Sequence, residues 1–194
     1  MHGPEVRDSP KLVQITGLAS YLFSKRLRVD TTKTCGTALL PIICSDLIRR
    51  LFGEEEYITE TGTMNIFIAW ILGNGQKELV TPPLDDTILA GLTRDSILVL
   101  ARERLSSQGW KISKRRIKIS ELRNAADEGR LLEVFGTGTS GTIAPVRAIS
   151  YDGKDIQLCF PPGKEIGPVA ECLKGWIEEI QYGDVPEHPW SVVI

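Results

Sequence analysis

Three polar, glycine-bearing segments carry the groups with chemical potential in this chain: Glu60-Thr61-Gly62-Thr63-Met64-Asn65, Leu89-Ala90-Gly91-Leu92-Thr93-Arg94 and Phe135-Gly136-Thr137-Gly138-Thr139-Ser140. In the second, an apolar repeat at Ile97, Leu98, Ala101 and Leu105 follows within a few residues, with Arg94, Asp95, Arg102 and Glu103 off that face. The spacing predicts a helix that starts at Gly91-Leu92-Thr93. The first N–H groups of a helix have no partner within it, and its dipole is positive there, so an anion is favoured at that end. The third segment is a loop of small hydroxyl residues that lets a phosphate approach the backbone. Glu60 adds a carboxylate to the set. Taken singly, each segment also has a plainer reading: a turn for the Gly-Thr-Gly-Thr run, and a cap or salt bridge for Glu60.

Composition narrows what these segments serve. With 194 residues, Lys+Arg 23 against Asp+Glu 25 and a net charge of -2, the chain is sized for about one domain and is not a polyanion trap for nucleic acid. Hydrophobic residues make up 42%, enough for a real core. The most apolar windows, residues 38–44 and 64–72, fall well short of the roughly 18 residues a membrane span requires. Cys35, Cys44, Cys159 and Cys172 form no C-x-x-C, and only His2 and His188 are present, so no zinc site is expected. The same scarcity argues against Ser-His-Asp or Cys-His catalysis.

The elements that must hold the segments begin near Leu51. Thr63 to Leu72 is rich in β-branched and aromatic residues, stops at Gly73-Asn74-Gly75 and resumes at Glu78 to Thr81, which predicts a hairpin. After the predicted helix, Trp110 to Ile119 reads as a basic strand, Ser120 as the cap of a short helix through Ala126, and Gly129 as its end. A strand is expected at Leu131 to Phe135, and another apolar stretch follows at Ile143 to Ile149, before a Tyr151-Asp152-Gly153-Lys154 turn. Val169, Cys172, Leu173, Trp176, Ile177 and Ile180 mark the core face of a final helix from Pro168 to Tyr182. Residues 1-50 show no such rhythm and read as an irregular remnant. Their Lys25-Arg26-Leu27-Arg28 cluster is flanked by acids, unlike a targeting peptide.

A phosphate held by two loops with a carboxylate nearby is what pyridoxal 5'-phosphate requires, because a carboxylate beside the pyridine nitrogen keeps it protonated and the ring able to accept electrons. Taken in order, Glu60 to Phe67, Leu79-Val80-Thr81-Pro82-Pro83-Leu84-Asp85, Ile88 to Arg94, Glu133 to Thr139, Pro145-Val146 and Ile180-Gln181-Tyr182-Gly183 resemble the class IV aminotransferases, and most closely the branched-chain amino acid aminotransferases. The resemblance covers residues 51-194 and implies a fold-type IV large C-terminal domain: an α/β unit with a mixed sheet partly closed into a barrel and helices around it. It further implies that Glu60 contacts the pyridine nitrogen, that Leu89 packs on the ring, and that Leu92, Thr93 and Thr139 hold the phosphate. Thr63 and Ser140 would receive the substrate carboxylate, Ser140 standing where the family usually has alanine.

The activity so implied is transfer of the amino group of leucine, isoleucine or valine to 2-oxoglutarate. D-amino acid aminotransferases and aminodeoxychorismate lyases of the same class are the alternatives, together with a non-catalytic paralogue that binds the cofactor or pairs with another chain. The family's Schiff-base lysine precedes the glutamate within a smaller N-terminal domain that most of residues 1–59 do not resemble. Lys33 lies in the stretch concerned but is matched to no motif, so no catalytic lysine is assigned. A truncated chain is therefore expected, acting as a homodimer or with a related chain, in the cytoplasm or alternatively the mitochondrion.

Overall fold

The computed structural model describes residues 12–18, 44–61, 64–138, 142–151, 154–158 and 160–190. At the centre lies strand β4 (Met64–Ile71), the first arm of the expected hairpin, paired antiparallel with β5 (Lys77–Thr81) on one side and β7 (Leu131–Gly138) on the other. Successive strand residues face opposite ways. Ile66, Ile68 and Trp70 therefore enter one core with Val80, Ile117, Leu122 and Val134. Phe67 and Ala69 enter a second with Leu79, Ile97, Phe135, Ile143 and Leu173. Because both faces are covered, β4 reads as a continuous apolar run from Ile66 onward. Phe67 and Phe135, opposite each other in the ladder, stack with centroids 5.4 Å apart. The turn closes on Gly75 at φ 84, a left-handed angle that glycine adopts without strain.

Around this centre the strand order is β2 (Cys44–Arg50), β1 (Leu12–Leu18), β8 (Thr142–Tyr151), β7, β4, β5 and β6 (Lys111–Lys114). Two further strands lie off that path: β3 (Glu60–Thr61) pairs with β4, and β9 (Lys154–Gln157), which the sequence did not signal, pairs with β8. Every pairing is antiparallel except β5 with β6, so the sheet is mixed as expected. Its path has ends at β2 and β6, and among the described residues no ladder joins them, so hydrogen bonds do not close the expected barrel.

Helix α1 (Leu92–Leu100) and helix α3 (Pro168–Gln181) cover the Phe67 face, and α2 (Ile119–Asp127) covers the other. Helix α1 begins where expected and runs into one π turn, Ala101–Leu105. The α2 cap differs: Ser120 lies within the helix, and the Glu121 carboxylate accepts from the Lys118 N–H at 3.0 Å. Strand β6 is shorter than expected: the Arg115 N–H to the Thr81 carbonyl is its last bond to β5, and beyond it the Ile117 carbonyl accepts from the Ile58 N–H instead. On α3, Pro168 occupies the first position, where its missing N–H costs nothing. Cys172 is exposed and drops out of the core stripe.

The charges of the expected basic strand are tied down. The basic run from Lys111 to Lys118 is met by acids: Lys111 by Glu78, Arg115 by Glu78 and Glu121, Arg116 by Asp85 and Lys118 by Glu55. Glu78 is wholly buried and accepts from Trp70 Nε1 at 2.7 Å and Ser113 Oγ at 2.6 Å. Burial pushes its carboxyl up, but the bonds from Ser113 and Trp70 and the Arg115 charge outweigh it and hold the group below its ordinary 4.5. A lowered folded-state value contributes stability that is present above the unfolded value and lost as pH falls through the folded one. Replacing Glu78 with glutamine is expected to flatten the fall in unfolding free energy below pH 4.5, measured by urea titration at a series of pH values. No helix among the described residues is long and apolar enough to cross a membrane.

Candidate functional site

The site is assembled from the β3–β4 corner, the 82–91 connection and the first turn of α1. Gly136 makes the corner possible. A Cβ there would come within 2.6 Å of Thr61 Cγ2 and 3.0 Å of Met64 Cε, so only glycine lets β3 lie over β7. Gly138 stands in the same relation to Met64. These two glycines therefore serve strand packing, where the sequence suggested a loop open to phosphate. Strand β7 runs through Gly138.

The connection from β5 to α1 is pinned at four points. Arg94 reaches back from α1 to donate through Nη2 to the Pro82 carbonyl at 2.8 Å. Asp85 accepts from Thr87 Oγ1 at 2.6 Å and Arg116 Nε at 2.8 Å, and the Thr87 bond, then Arg116, hold its carboxyl below the ordinary value. The Leu89 N–H donates to Glu60 Oε1 at 2.7 Å, and Asn65 Nδ2 donates to the Leu89 carbonyl at 2.8 Å. Arg94 overturns the placement of that residue off the apolar face: it is 1% exposed and among the largest fully buried side chains. Burial lowers the pKa of its guanidinium from the usual arginine range, and Asp95, 3.1 Å from Nη1, works the other way.

Of the residues expected to act, the structure brings Glu60, Leu89, Leu92 and Thr93 into one neighbourhood. Glu60 is half-buried with Oε1 engaged as above; Leu89 is 72% and Leu92 83% exposed. Gly91 is the extended N-cap of α1, and among the described residues no side chain caps the helix, which leaves the Leu92 and Thr93 N–H groups as donors for an incoming anion. A Cβ on Gly91 would overlap Asn65 Oδ1, so the glycine answers to a close contact while its φ of -82 suits any residue. Thr63, Thr139, Ser140 and Lys33 lie outside the described residues. Two residues given no role beforehand, Asn65 and Arg94, hold the site together. The sequence signal for Asn65 is a polar side chain at the head of an apolar strand, inside the Glu60-to-Asn65 segment.

What remains is an uncapped helix terminus, a carboxylate with one oxygen uncommitted among the described residues, and an exposed leucine between them. These suit a ligand with a phosphate at one end and a protonated ring nitrogen at the other, so the residues present fit pyridoxal phosphate. Among the described residues no cluster of three His, Cys, Asp or Glu side chains is placed to hold a metal.

The family model for amino-transferase class IV matches residues 46–149, and the chain belongs to that family. Similar curated proteins include the mitochondrial branched-chain-amino-acid aminotransferase of Schizosaccharomyces pombe, 52% identical over 73% of this chain and 33% of the relative. The cytosolic branched-chain-amino-acid aminotransferase of Saccharomyces cerevisiae is 46% identical over 74% of this chain and 39% of its own length. Among solved structures, the pyridoxal phosphate form of the branched-chain amino acid aminotransferase from Thermobaculum terrenum is 26% identical over 68% of this chain and 36% of that one, with a TM-score of 0.48. The chain thus spans between a third and two fifths of the length of the relatives named. Those relatives include both cytosolic and mitochondrial proteins.

Proposed function

We propose that this chain forms the pyridoxal phosphate cradle of a branched-chain amino acid aminotransferase, acting on leucine, isoleucine or valine with 2-oxoglutarate as the amino acceptor. The observation that carries the reading is the joining of Glu60 to the approach to α1 through the Leu89 N–H, at 2.7 Å. That bond sets a carboxylate and an uncapped helix start at a distance held by the fold. When bound, the cofactor supplies an electron sink for bond breaking at the substrate α-carbon. Glu60 holds a proton at the pyridine nitrogen. The Leu92 and Thr93 N–H groups, with Thr139, bind the phosphate, and Leu89 covers the ring. Thr63 and the Ser140 N–H take the substrate carboxylate. The names of the curated relatives favour branched-chain substrates over the other class IV reactions. A homodimer, or a pair with a related chain, covers the exposed Leu84, Leu89 and Leu92, and cytoplasm or mitochondrion are the compartments in keeping with the relatives.

The test is to titrate the 194-residue chain with pyridoxal phosphate, follow the visible absorption, reduce with borohydride and map the modified peptide by mass. One adduct per chain on a single lysine, Lys33 being the candidate, is the expected result, followed by leucine-dependent glutamate formation. Uptake of the cofactor without a single-site adduct supports the other reading, a paralogue that binds or pairs without turnover. Scattered labelling of surface lysines with no saturable uptake overturns both.

A further inference from the structure

Asn65 touches the carboxylate of β3, the 82–91 connection and the N-cap of α1. It is 5% exposed, on a strand whose other buried residues are apolar, where an unsatisfied amide is costly. Its Nδ2 donates to Glu60 Oε1 at 3.3 Å and to the Leu89 carbonyl at 2.8 Å. Its Oδ1 occupies the space that a Cβ on Gly91 would fill. One planar amide therefore references the carboxylate of β3, the residue expected on the cofactor ring and the N-cap of the helix expected to hold the phosphate. The same Glu60 oxygen also accepts from the Leu89 N–H at 2.7 Å. Two donors on Oε1 fix the carboxylate plane and leave Oε2 uncommitted among the described residues.

We infer that Asn65 is a positioning residue of the cofactor site: by engaging Glu60 Oε1 and the Leu89–Gly91 backbone together, it holds the ring end and the phosphate end in one register and leaves Glu60 a single oxygen for the ligand. The inference rests on the reading of the site as a pyridoxal phosphate cradle. It assigns Asn65 no contact with the cofactor. Its effect passes through Glu60, whose oriented carboxylate favours the protonated ring nitrogen.

The test compares the parent chain with Asn65→Ala, Asn65→Leu, Glu60→Gln and the Asn65→Ala/Glu60→Gln double variant. Pyridoxal phosphate affinity and the pH dependence of the bound cofactor's absorption are measured for each. Asn65→Leu keeps the side-chain size and branching without a donor or a charge, so it decides the matter if Asn65→Ala fails to fold. Loss of one aligned hydrogen bond predicts an affinity about tenfold weaker in either single Asn65 variant. The ring nitrogen should also lose its proton at lower pH than in the parent, and in the double variant the loss of Asn65 should move that pH midpoint no further than Glu60→Gln does alone. A purely structural residue would weaken binding without moving that pH midpoint and independently of Glu60. An unchanged midpoint in the single Asn65 variants, or a midpoint that moves further in the double variant than in Glu60→Gln, overturns the inference while the parent's uptake upholds the cofactor reading. A parent chain that takes up no pyridoxal phosphate overturns the cofactor reading and the inference with it.

Discussion

Gly167→Ala is expected to lower the unfolding free energy by about 3 kcal/mol, the combined scale of overpacking and of disturbed hydrogen bonds to a charge. For a chain of this size that corresponds to a melting temperature lower by roughly 6–12 °C. The reason lies in Glu133, a carboxylate 1% exposed in the middle of β7. It accepts from the Val169 N–H at 2.7 Å and the Ala170 N–H at 3.2 Å, serving as the cap for α3 from across the core. Gly167 precedes Pro168 at that helix start, and a Cβ on it would fall on the carboxylate, 2.5 Å from Cδ. The neighbour that would have to move is thus buried and doubly bonded, so the clash is not relieved cheaply.

A double-mutant cycle checks this account. Glu133→Ala costs stability alone, but in the Gly167→Ala background it removes the clash, so the two penalties should fall well short of adding. Thermal melts of the four proteins decide it; a Gly167→Ala protein melting within a degree of the parent would refute the packing argument. Burial also pushes the Glu133 carboxyl above its ordinary 4.5, partly offset by the two N–H groups. A raised folded-state value means stability fully present below the unfolded value and lost as pH rises through the folded one. Glu133→Gln should remove that decline, which runs in the opposite sense to the contribution of Glu78.

Arg94→Ala is expected to cost about 3–4 kcal/mol, as for truncation of a large buried side chain that also strips a carbonyl of its donor. Arg94 joins the first turn of α1 to the Pro82 carbonyl, so its loss frees the helix start that presents the Leu92 and Thr93 N–H groups. Affinity for pyridoxal phosphate should fall with stability. Arg94→Met fills most of the same space and leaves only the Pro82 carbonyl unpaired, so it should cost about 1–2 kcal/mol. Urea unfolding measures the two penalties, and equal values for alanine and methionine would show that packing around Arg94 contributes little.

Much of the fold was legible because local rules and tertiary demands agree. The β-branched run ending at Gly73-Asn74-Gly75 had one reasonable outcome, and a hairpin formed there. The apolar period after Gly91 and the Pro168 start likewise located α1 and α3. Ser120 misled because a helix start can be closed equally well by a glutamate three residues in, and Glu121 does so. Cys172 misled because a small apolar residue at helical spacing costs little on the surface.

What the sequence by itself determined is the family, through an ordered series of motifs, and the elements whose period and punctuation are local: the hairpin, the start of α1 and the course of α3. Only the tertiary structure decided which polar groups go inside. Glu78, Glu133 and Arg94 are buried because their partners are Trp70 and Ser113, the first N–H groups of α3, and the Pro82 carbonyl. A charge is tolerated in a core only when such partners arrive from elsewhere in the chain, and no local pattern records their arrival. The same holds for Asn65 and Gly91, whose roles exist only because two distant segments are brought into contact.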